Sequence, residues 1–300
     1  MIYKIPDKGD PSDELQIFPQ FNIQVLCCRY WWLKNWEFGE LSYPYWRIYW
    51  NPYPGATIIH NEKEYELTGD KILVIAPNTS YSTRLFENEI PRFGYTLNGG
   101  RIGPDHSEQN AILKNEIPHL FIHFNIGIPY DNIAPQLISL EPSTNWIKKL
   151  KIITSTLMSD YSKFDFYTSM VIRSLILDLL VAAIPNKKWE LISKDERILN
   201  ILKFIELNLN RDLANNILAE EMKLATNAFN RLFKDEIGIS PQKYIRKKRI
   251  DKACALLDHS LNAIDTIAEQ TGFADRYHFS KIFKQEIGVS PGKYRKEFNV

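Results

Sequence analysis

The chain has 300 residues, enough for two domains that each bury a core, and its 44% hydrophobic and 24% charged residues are typical of a globular protein. The net charge of +1 excludes a strongly basic chain of the kind that identifies nucleic-acid binding from composition alone. The segment Met1–Asp10 has no apolar signal-peptide core, and no apolar run approaches the roughly 20 residues that span a bilayer. The three cysteines form no disulfide framework, so we expect a cytoplasmic protein without a membrane partner.

The first 141 residues predict a β-rich domain. Short runs of alternating or β-branched residues are separated by turn-forming segments at 51–55 and 98–100. The runs that indicate strands are Trp46–Trp50, Ala56–Ile59, Tyr65–Leu67, Lys71–Ile75 and His119–Ile126. Many short strands joined by Gly and Pro turns are typical of a sandwich or a barrel, and the later helices make the whole chain an α+β multidomain protein.

Residues 142–188 predict a helical segment after the β-rich domain. Trp146–Met158 and Phe166–Ile184 have helical periodicity without internal Gly or Pro, and the polar run Pro185–Lys188 indicates a linker. The second helix carries a continuous apolar stripe, which consists of Leu175, Ile176, Leu179, Leu180 and Ala183. Such a stripe is typical of a homodimer interface, and packing against the chain's own barrel fits it equally well.

Residues 189–300 contain an internal repeat. Phe229–Tyr244 (FNRLFKDEIGISPQKY) and Phe279–Tyr294 (FSKIFKQEIGVSPGKY) are offset by fifty residues and agree at ten of sixteen positions. Duplication at this level indicates one structural unit used twice. A small basic excess also lies here, because residues 190–300 contain 19 Lys and Arg against 16 Asp and Glu.

Each repeat has the pattern of two helices joined by a short turn. In the first unit we expect a helix at Ile217–Met222, and Thr226 is placed to cap the helix that follows. In the second we expect a helix at Ile264–Gln270, a turn one residue longer, and a cap at Asp275. Each second helix then ends at a glycine, and a Ser-Pro pair begins the next helix. These exit residues are Gly238, Ser240 and Pro241 in the first unit and Gly288, Ser290 and Pro291 in the second.

The second helix of each unit predicts one apolar and one polar face. Residues spaced three and four apart, such as Phe229 and Phe233, share the inner face. The outer face carries side chains that bind bases or phosphates in DNA-binding proteins. The predicted DNA-binding residues are Thr226, Asn227, Asn230, Arg231, Lys234, Arg276, Tyr277, His278, Ser280, Lys281 and Lys284. The alternative is a helical protein-interaction scaffold whose outer faces are only solvated.

These motifs closely resemble the C-terminal domain of the AraC/XylS-type transcription regulators. The resemblance rests on IAEQTGF at Ile267–Phe273, YHFSKIFK at Tyr277–Lys284 and GVSPGKYR at Gly288–Arg295, and it covers about a third of the chain. It implies two helix-turn-helix units joined by a long helix, Pro241–Leu257, with recognition helices in successive major grooves of double-stranded DNA.

The resemblance also implies a sensory domain and further partners. Many members of the family carry a cupin-like β-barrel that senses a small molecule, often a sugar, and the outline of residues 1–141 is similar. We also expect a homodimer and RNA polymerase as a partner. One departure is that Arg276, Tyr277 and His278 are large where the family usually has small residues, so the target sequence cannot be taken from a relative.

A sensory pocket needs apolar walls and a few polar groups. The predicted ligand-binding residues are Arg47, Tyr49, Trp50 and Trp46, with the aromatic rings stacking on a carbohydrate and the guanidinium binding its hydroxyls. The alternative is that the aromatic residues only fill the core. We predict no metal, because His119 and His123 are four apart on one strand and therefore about 13 Å from each other.

The sequence contains none of the common catalytic motifs that would indicate an enzyme. The chain has no nucleophile elbow, phosphate-binding loop, zinc-protease helix or dinucleotide-binding glycine pattern, so we expect neither catalytic residues nor a cofactor. A cupin-type enzyme fused to a DNA-binding domain remains the enzymatic alternative, although the histidine pattern of a metal-binding cupin is absent.

Overall fold

The chain folds as a barrel, a pair of helices packed on it, and a helical C-terminal region. A computed structural model describes residues 21–92, 94–160, 164–184, 193 and 195–298, so the predicted linker Pro185–Lys188 and the segment Met1–Asp10 lie outside the described residues. The strands are β1 (Gln24–Leu41), β2 (Trp46–Trp50), β3 (Ala56–His60), β4 (Lys63–Leu67), β5 (Ile72–Ile75), β6 (Tyr81–Leu85), β7 (Tyr95–Arg101), β8 (Ile117–Asn125) and β9 (Leu137–Leu140). The helices are α1 (Glu108–Leu113), α2 (Thr144–Ser159), α3 (Phe166–Ala183), α4 (Glu196–Leu207), α5 (Asn215–Glu221), α6 (Thr226–Ile237), α7 (Pro241–His259), α8 (Ile264–Gln270), α9 (Arg276–Ile287) and α10 (Pro291–Phe298).

The strands form a nearly closed antiparallel barrel, which confirms the predicted fold class. Their order is β4-β3-β6-β1-β8-β2-β5-β9, and β7 pairs with β1. The long strand β1 pairs with β6, β7 and β8 and so holds both halves of the sheet together. Because β1 contacts core on both faces for much of its length, its sequence lacks the clean alternation by which the shorter strands were predicted.

The predicted turn at residues 98–100 is wrong. These residues lie inside β7, where Gly99 is paired with Leu33 and Gly100 with Trp32 of β1. A Cβ atom on Gly100 would lie 2.8 Å from the Trp32 ring, so the glycine admits the indole rather than making a turn.

Helices α2 and α3 pack against the outer face of the barrel. The predicted apolar stripe of α3 is buried, and it shares one core with residues of α2 and with Trp46 and Trp50 of β2. This settles the alternative left open by the sequence, because the stripe packs on the chain's own barrel. By length and composition α3 could also cross a membrane, the one such helix among the described residues, but much of its apolar surface is already buried by the barrel and α2.

The C-terminal region contains two separate cores that repeat each other. In the first, Phe233 of α6 contacts Tyr244 at the start of α7, with ring centroids 5.6 Å apart. In the second, Phe283 of α9 contacts Tyr294 of α10 at 5.4 Å. Helix α7 contributes to both cores, so the connecting helix fixes the two units relative to each other.

Candidate functional site

The recognition helices begin differently in the two units. Asp275 caps α9 as predicted, since its carboxylate accepts a hydrogen bond of 2.7 Å from the backbone N–H of His278. The predicted cap at Thr226 is wrong, because Ala225 occupies the capping position without a side-chain bond and Thr226 is the first residue of α6. An alanine cap leaves orphan N–H groups at the start of α6, where they remain available to an anion such as a DNA phosphate.

Both recognition helices end as the sequence predicts. Gly238 and Gly288 have φ angles of 80° and 90°, in the left-handed region that favours glycine. Ser240 then caps α7, and Pro241 lies in its first turn. The exit from each recognition helix is therefore fixed by the repeated residues.

The outer faces of α6 and α9 are largely open to solvent. Arg231 and Lys281 occupy the same position of their repeats and are both exposed. The Arg231 side chain is 87% exposed and forms a loose ion pair of 3.8 Å with Asp235. The other exposed members of the predicted set are Asn227, Lys234, Arg276, Tyr277, His278 and Lys284, whereas Thr226, Asn230 and Ser280 are half-buried.

Helix α7 carries a run of four basic residues at 246–249, which is only partly a solvated surface. The Arg249 guanidinium donates to the backbone carbonyls of Leu209 and Arg211, at 3.0 Å and 2.8 Å. Lys248 forms an ion pair of 3.3 Å with Glu206. Two of its cations therefore stabilise the fold, while Arg246 and Lys247 remain exposed.

A cavity of about 130 Å³ lies on the inner face of the barrel. Arg47 and Tyr49, two of the predicted ligand-binding residues, line it. Trp46 and Trp50 do not, and their assignment to the ligand site is corrected, because successive side chains of a strand point to opposite faces and these two lie in the core beneath α2 and α3. The other aromatic residues that line the cavity, besides its histidines, are Trp31, Trp36, Phe38, Tyr43, Tyr45 and Phe121.

Arg47 is a buried cation held by tyrosines. Its guanidinium donates to the hydroxyls of Tyr49, at 2.9 Å, and of Tyr81, and it lies 3.3 Å from the centre of the Tyr43 ring. No carboxylate forms an ion pair with it among the described residues, and its Nε atom has no hydrogen-bond partner there. A buried charge with that environment is well suited to bind an anionic group.

The far end of α7 closes the cavity. Asp258 and His259 line it, although they belong to the helix that connects the two helix-turn-helix units. The Tyr45 hydroxyl donates to the Asp258 carboxylate at 2.9 Å. Nearer the first unit, the Asn132 amide donates to the Tyr244 hydroxyl at 3.1 Å. The wall of the cavity and the scaffold of the DNA-binding units are therefore one helix.

The cavity histidines differ in their partners. His119 donates through Nδ1 to the Asn51 side-chain oxygen at 2.7 Å, which is a structural role. Neither ring nitrogen of His123 or of His259 has a hydrogen-bond partner within the described part of the chain. Burial lowers the pKa of His259 to about 3 and places the pKa of His123 well below its ordinary value, with Arg47 adding to the effect, so both rings are neutral.

Two parts of the cavity were not predicted from the sequence: the end of α7 that lines it, with Asp258 and His259, and most of its aromatic lining. Alternation along β2 does contain the signal that Tyr49, and neither tryptophan, shares a face with Arg47. No local pattern places Asp258 against Tyr45, because that contact joins positions 213 residues apart.

Comparison with known proteins gives three findings. A family described as a helix-turn-helix domain matches residues 218–297. The transcriptional activator RhaS of Klebsiella pneumoniae is 31% identical over 200 residues, which cover 62% of this chain and 72% of RhaS, and RhaS of an Escherichia coli strain is 24% identical over the same shares. A crystal structure of ToxT from Vibrio cholerae has a similar fold, with a TM-score of 0.51, 15% identity, and coverage of 94% of this chain and all of that one. The extent of the match to RhaS, together with the two helix-turn-helix units and the barrel, shows that this chain belongs to the AraC/XylS-type family of DNA-binding transcription regulators.

Proposed function

We propose that this regulator reads two adjacent boxes of duplex DNA, one with the outer face of α6 and the other with that of α9. The duplication is the observation that carries the proposal. Two separate cores present two helices in the same local setting, and each exposes a polar face. Helix α7 joins the units as one rigid element, so both faces can engage one DNA molecule.

Arg231 and Lys281 are the side chains we assign to base edges. Both are long, exposed cations at matching positions, and Arg and Lys bind the guanine edge in the major groove. We assign the remaining predicted residues to phosphates and neighbouring bases. These are Thr226, Asn227, Asn230, Lys234, Arg276, Tyr277, His278, Ser280 and Lys284.

The test of DNA binding is a titration of the full chain with selected and random duplexes at several salt concentrations. We expect the selected duplex to bind about 10³-fold or more tightly than random DNA, with affinity that falls as salt rises. Equal, weak binding to both duplexes would favour the protein-interaction scaffold. We propose no catalytic role for the barrel, since its relatives are transcriptional activators.

We propose further that the barrel cavity binds a small polar effector, either a sugar acid or another carbohydrate. The observation that supports this proposal is the buried guanidinium of Arg47, because an anionic group would balance its charge and accept a hydrogen bond from its Nε atom. Structures of ToxT with an unsaturated fatty acid and with a methylnaphthalenyl butenoic acid support an acidic ligand, since both compounds are carboxylic acids.

Ligand size links the cavity to DNA binding. The volume of about 130 Å³ is close to that of an engineered protein cavity, about 150 Å³, that holds benzene. A sugar acid has roughly twice the heavy atoms of benzene, so we propose that it displaces α7, whose residues Asp258 and His259 line the cavity. Effector binding would therefore release the helix that positions both units, and DNA affinity would change by about 5–150-fold.

The effector test is a thermal-shift screen of the full chain against sugars and sugar acids, followed by DNA titration with each hit. Ligand at 100 times its dissociation constant should stabilise the protein by about 2.7 kcal/mol. Arg47→Met should remove the shift, whereas Arg84→Ala, which removes a surface ion pair with Glu64, should retain it. A shift that survives Arg47→Met would place the ligand elsewhere.

We also propose a cytoplasmic homodimer that activates transcription through RNA polymerase, as the activator relatives suggest. The buried stripe of α3 is unavailable for dimerisation, but its opposite face exposes Met170, Leu177 and Val181 at helical spacing. We expect Val181→Glu to convert a dimer to a monomer in light scattering with no loss of thermal stability. A wild-type monomer, or a dimer unaffected by this substitution, would contradict the assignment of the interface.

A further inference from the structure

A cluster of three metal-ligating side chains joins the barrel to α7. Cys27 of β1 and His123 of β8 are direct partners across the sheet, so their side chains share the inner face. His259 reaches them from the last residue of α7. The sulfur and one nitrogen of each ring all lie within 4.8 Å of one another.

The two imidazoles in this cluster are unusual for buried groups. His123 is buried, with only 8% of its surface exposed. Among the described residues, neither ring nitrogen of His123 has a hydrogen-bond partner, and the same is true of His259. Buried polar atoms in proteins are almost always paired, and leaving one unpaired costs about 1–3 kcal/mol. His119, on the same strand, shows the ordinary solution, since Asn51 accepts its hydrogen bond.

We propose that Cys27, His123 and His259 bind a zinc-class metal ion that fastens α7 to the barrel. One thiolate and two imidazoles match the ligand preference of zinc and its borderline-soft neighbours. Metal–ligand bonds of about 2.0–2.3 Å bring tetrahedral ligand atoms to about 3.3–3.6 Å from one another, so the cluster contracts by about 1 Å on binding. His119 does not share this ion, because it lies four residues from His123 on the same strand; His123 takes its partners from another strand and another domain.

Charge and space fit this ion. Burial raises the pKa of the Cys27 thiol, although the nearby Arg29 and Arg47 favour the thiolate, so the ion has to displace the thiol proton to solvent on binding. The thiolate and the Asp258 carboxylate, which also lines the cavity, then balance the two positive charges of the ion. Three protein ligands leave a fourth position, and about 130 Å³ accommodates an ion with a water molecule. A metal ion would therefore hold α7 against the barrel, whereas a sugar acid would displace α7 from it.

This inference rests on the proposed function only for its regulatory consequence, because metal binding is measured without DNA. The experiment titrates chelator-treated full chain with Co²⁺ and then displaces it with Zn²⁺. We expect one Co²⁺ per chain, with tetrahedral d–d bands and a thiolate-to-cobalt charge-transfer band. Cys27→Ala should abolish the charge-transfer band, and the matched control Cys28→Ala, whose side chain faces the α2 and α3 core, should retain it.

A second variant tests the site without changing a residue of the barrel strands, where a substitution could disturb folding. His259→Ala removes a partly exposed residue at a helix end, and it should weaken Zn²⁺ binding by at least about 100-fold while leaving the melting temperature in chelator unchanged. Absence of the charge-transfer band in folded wild type, its persistence in Cys27→Ala, or unchanged Zn²⁺ affinity in His259→Ala would each overturn the proposal. Tight binding to two boxes in chelator alongside any of these results would leave the proposed function standing.

Discussion

The two helix-turn-helix units have separate cores that are built alike, and their outer faces differ. Phe229 and Phe233 in the first unit have the same packing as Phe279 and Phe283 in the second, with ring centroids 5.7 Å and 5.5 Å apart. On the outer faces, by contrast, small polar residues of α6 correspond to large ones of α9, such as Asn227 opposite Tyr277 in the repeat. The residues that fold the unit are repeated, whereas most of those that would contact DNA differ, with Lys234 and Lys284 as the identical pair. The two units are therefore expected to read different sequences.

The turns between the helices differ as well. The longer turn of the second unit contains Gly272 at φ 77°, and a Cβ there would lie 2.1 Å from the Leu209 carbonyl oxygen. The shorter turn of the first unit places Lys223 at φ 54°, a left-handed conformation that a side chain occupies at some cost. The second turn therefore depends on a glycine for close packing, while the first does not.

The largest expected effect comes from breaking the cooperation of the two units on DNA. Inserting five base pairs between the boxes turns one of them to the opposite side of the duplex, which rigid α7 cannot follow. We expect affinity to fall by about 1,000-fold, or about 4 kcal/mol, in a binding titration. A ten-base-pair insertion restores the face of the duplex but moves the second box about 34 Å along it, so affinity should fall in that case as well. Unchanged affinity after the five-base-pair insertion would mean that only one unit reads DNA.

The next effect sharpens the difference between the turns. Gly272→Ala forces a Cβ against backbone, so we expect a loss of about 3 kcal/mol in the free energy of unfolding, measured by chemical denaturation. Gly292→Ala is the control, because no atom lies within 4 Å of the added Cβ, and it should raise stability by about 0.5–1 kcal/mol since alanine is the better helix former. Lys223→Gly should be neutral or slightly stabilising. Equal losses at the two glycines would refute the close-packing account.

The smallest effects compare how each unit is held against the barrel. Asn132→Ala removes the hydrogen bonds to Tyr244 and to Lys248, on the side of the first unit. Tyr45→Phe removes the hydrogen bond donated to Asp258, on the side of the second unit, and the one accepted from Arg47. Each should lower stability by about 1 kcal/mol and increase proteolytic cleavage between the domains. No change in either variant would show that these contacts do not hold α7 in place.

Local patterns in the sequence were sufficient for the recognition helices and for most short strands. Gly238 and the Ser-Pro exits mark helix ends because each residue satisfies a backbone need at its own position. The strand β2 was predicted with its observed bounds, Trp46–Trp50, yet the two tryptophans were assigned to the wrong face because aromatic content was weighed above alternation. The predicted turn at residues 98–100 was wrong because glycine occurs where a strand packs closely against a ring as well as in turns.

Contacts between distant parts of the chain were beyond sequence reasoning. The two recognition helices begin at equivalent positions of the repeat, Thr226 and Arg276. They differ in the residue before them, because the Asp275 side chain caps its helix and Ala225 has no polar side chain to do so. The placement of Asp258 and His259 in the barrel cavity depends on how α7 docks, and no spacing in the chain records it. These are the residues on which the proposals for regulation depend.

The most direct test of the central claim is selection of bound sequences from random DNA with wild type, Arg231→Ala and Lys281→Ala. We predict that wild type selects two unlike boxes whose centres lie roughly 10–10.5 base pairs apart. Each variant should lose about 1–3 kcal/mol on the selected site and relax sequence preference in one box only, with the two variants affecting different boxes. Recovery of a single box, or relaxation of the same box by both variants, would contradict two units that read DNA separately.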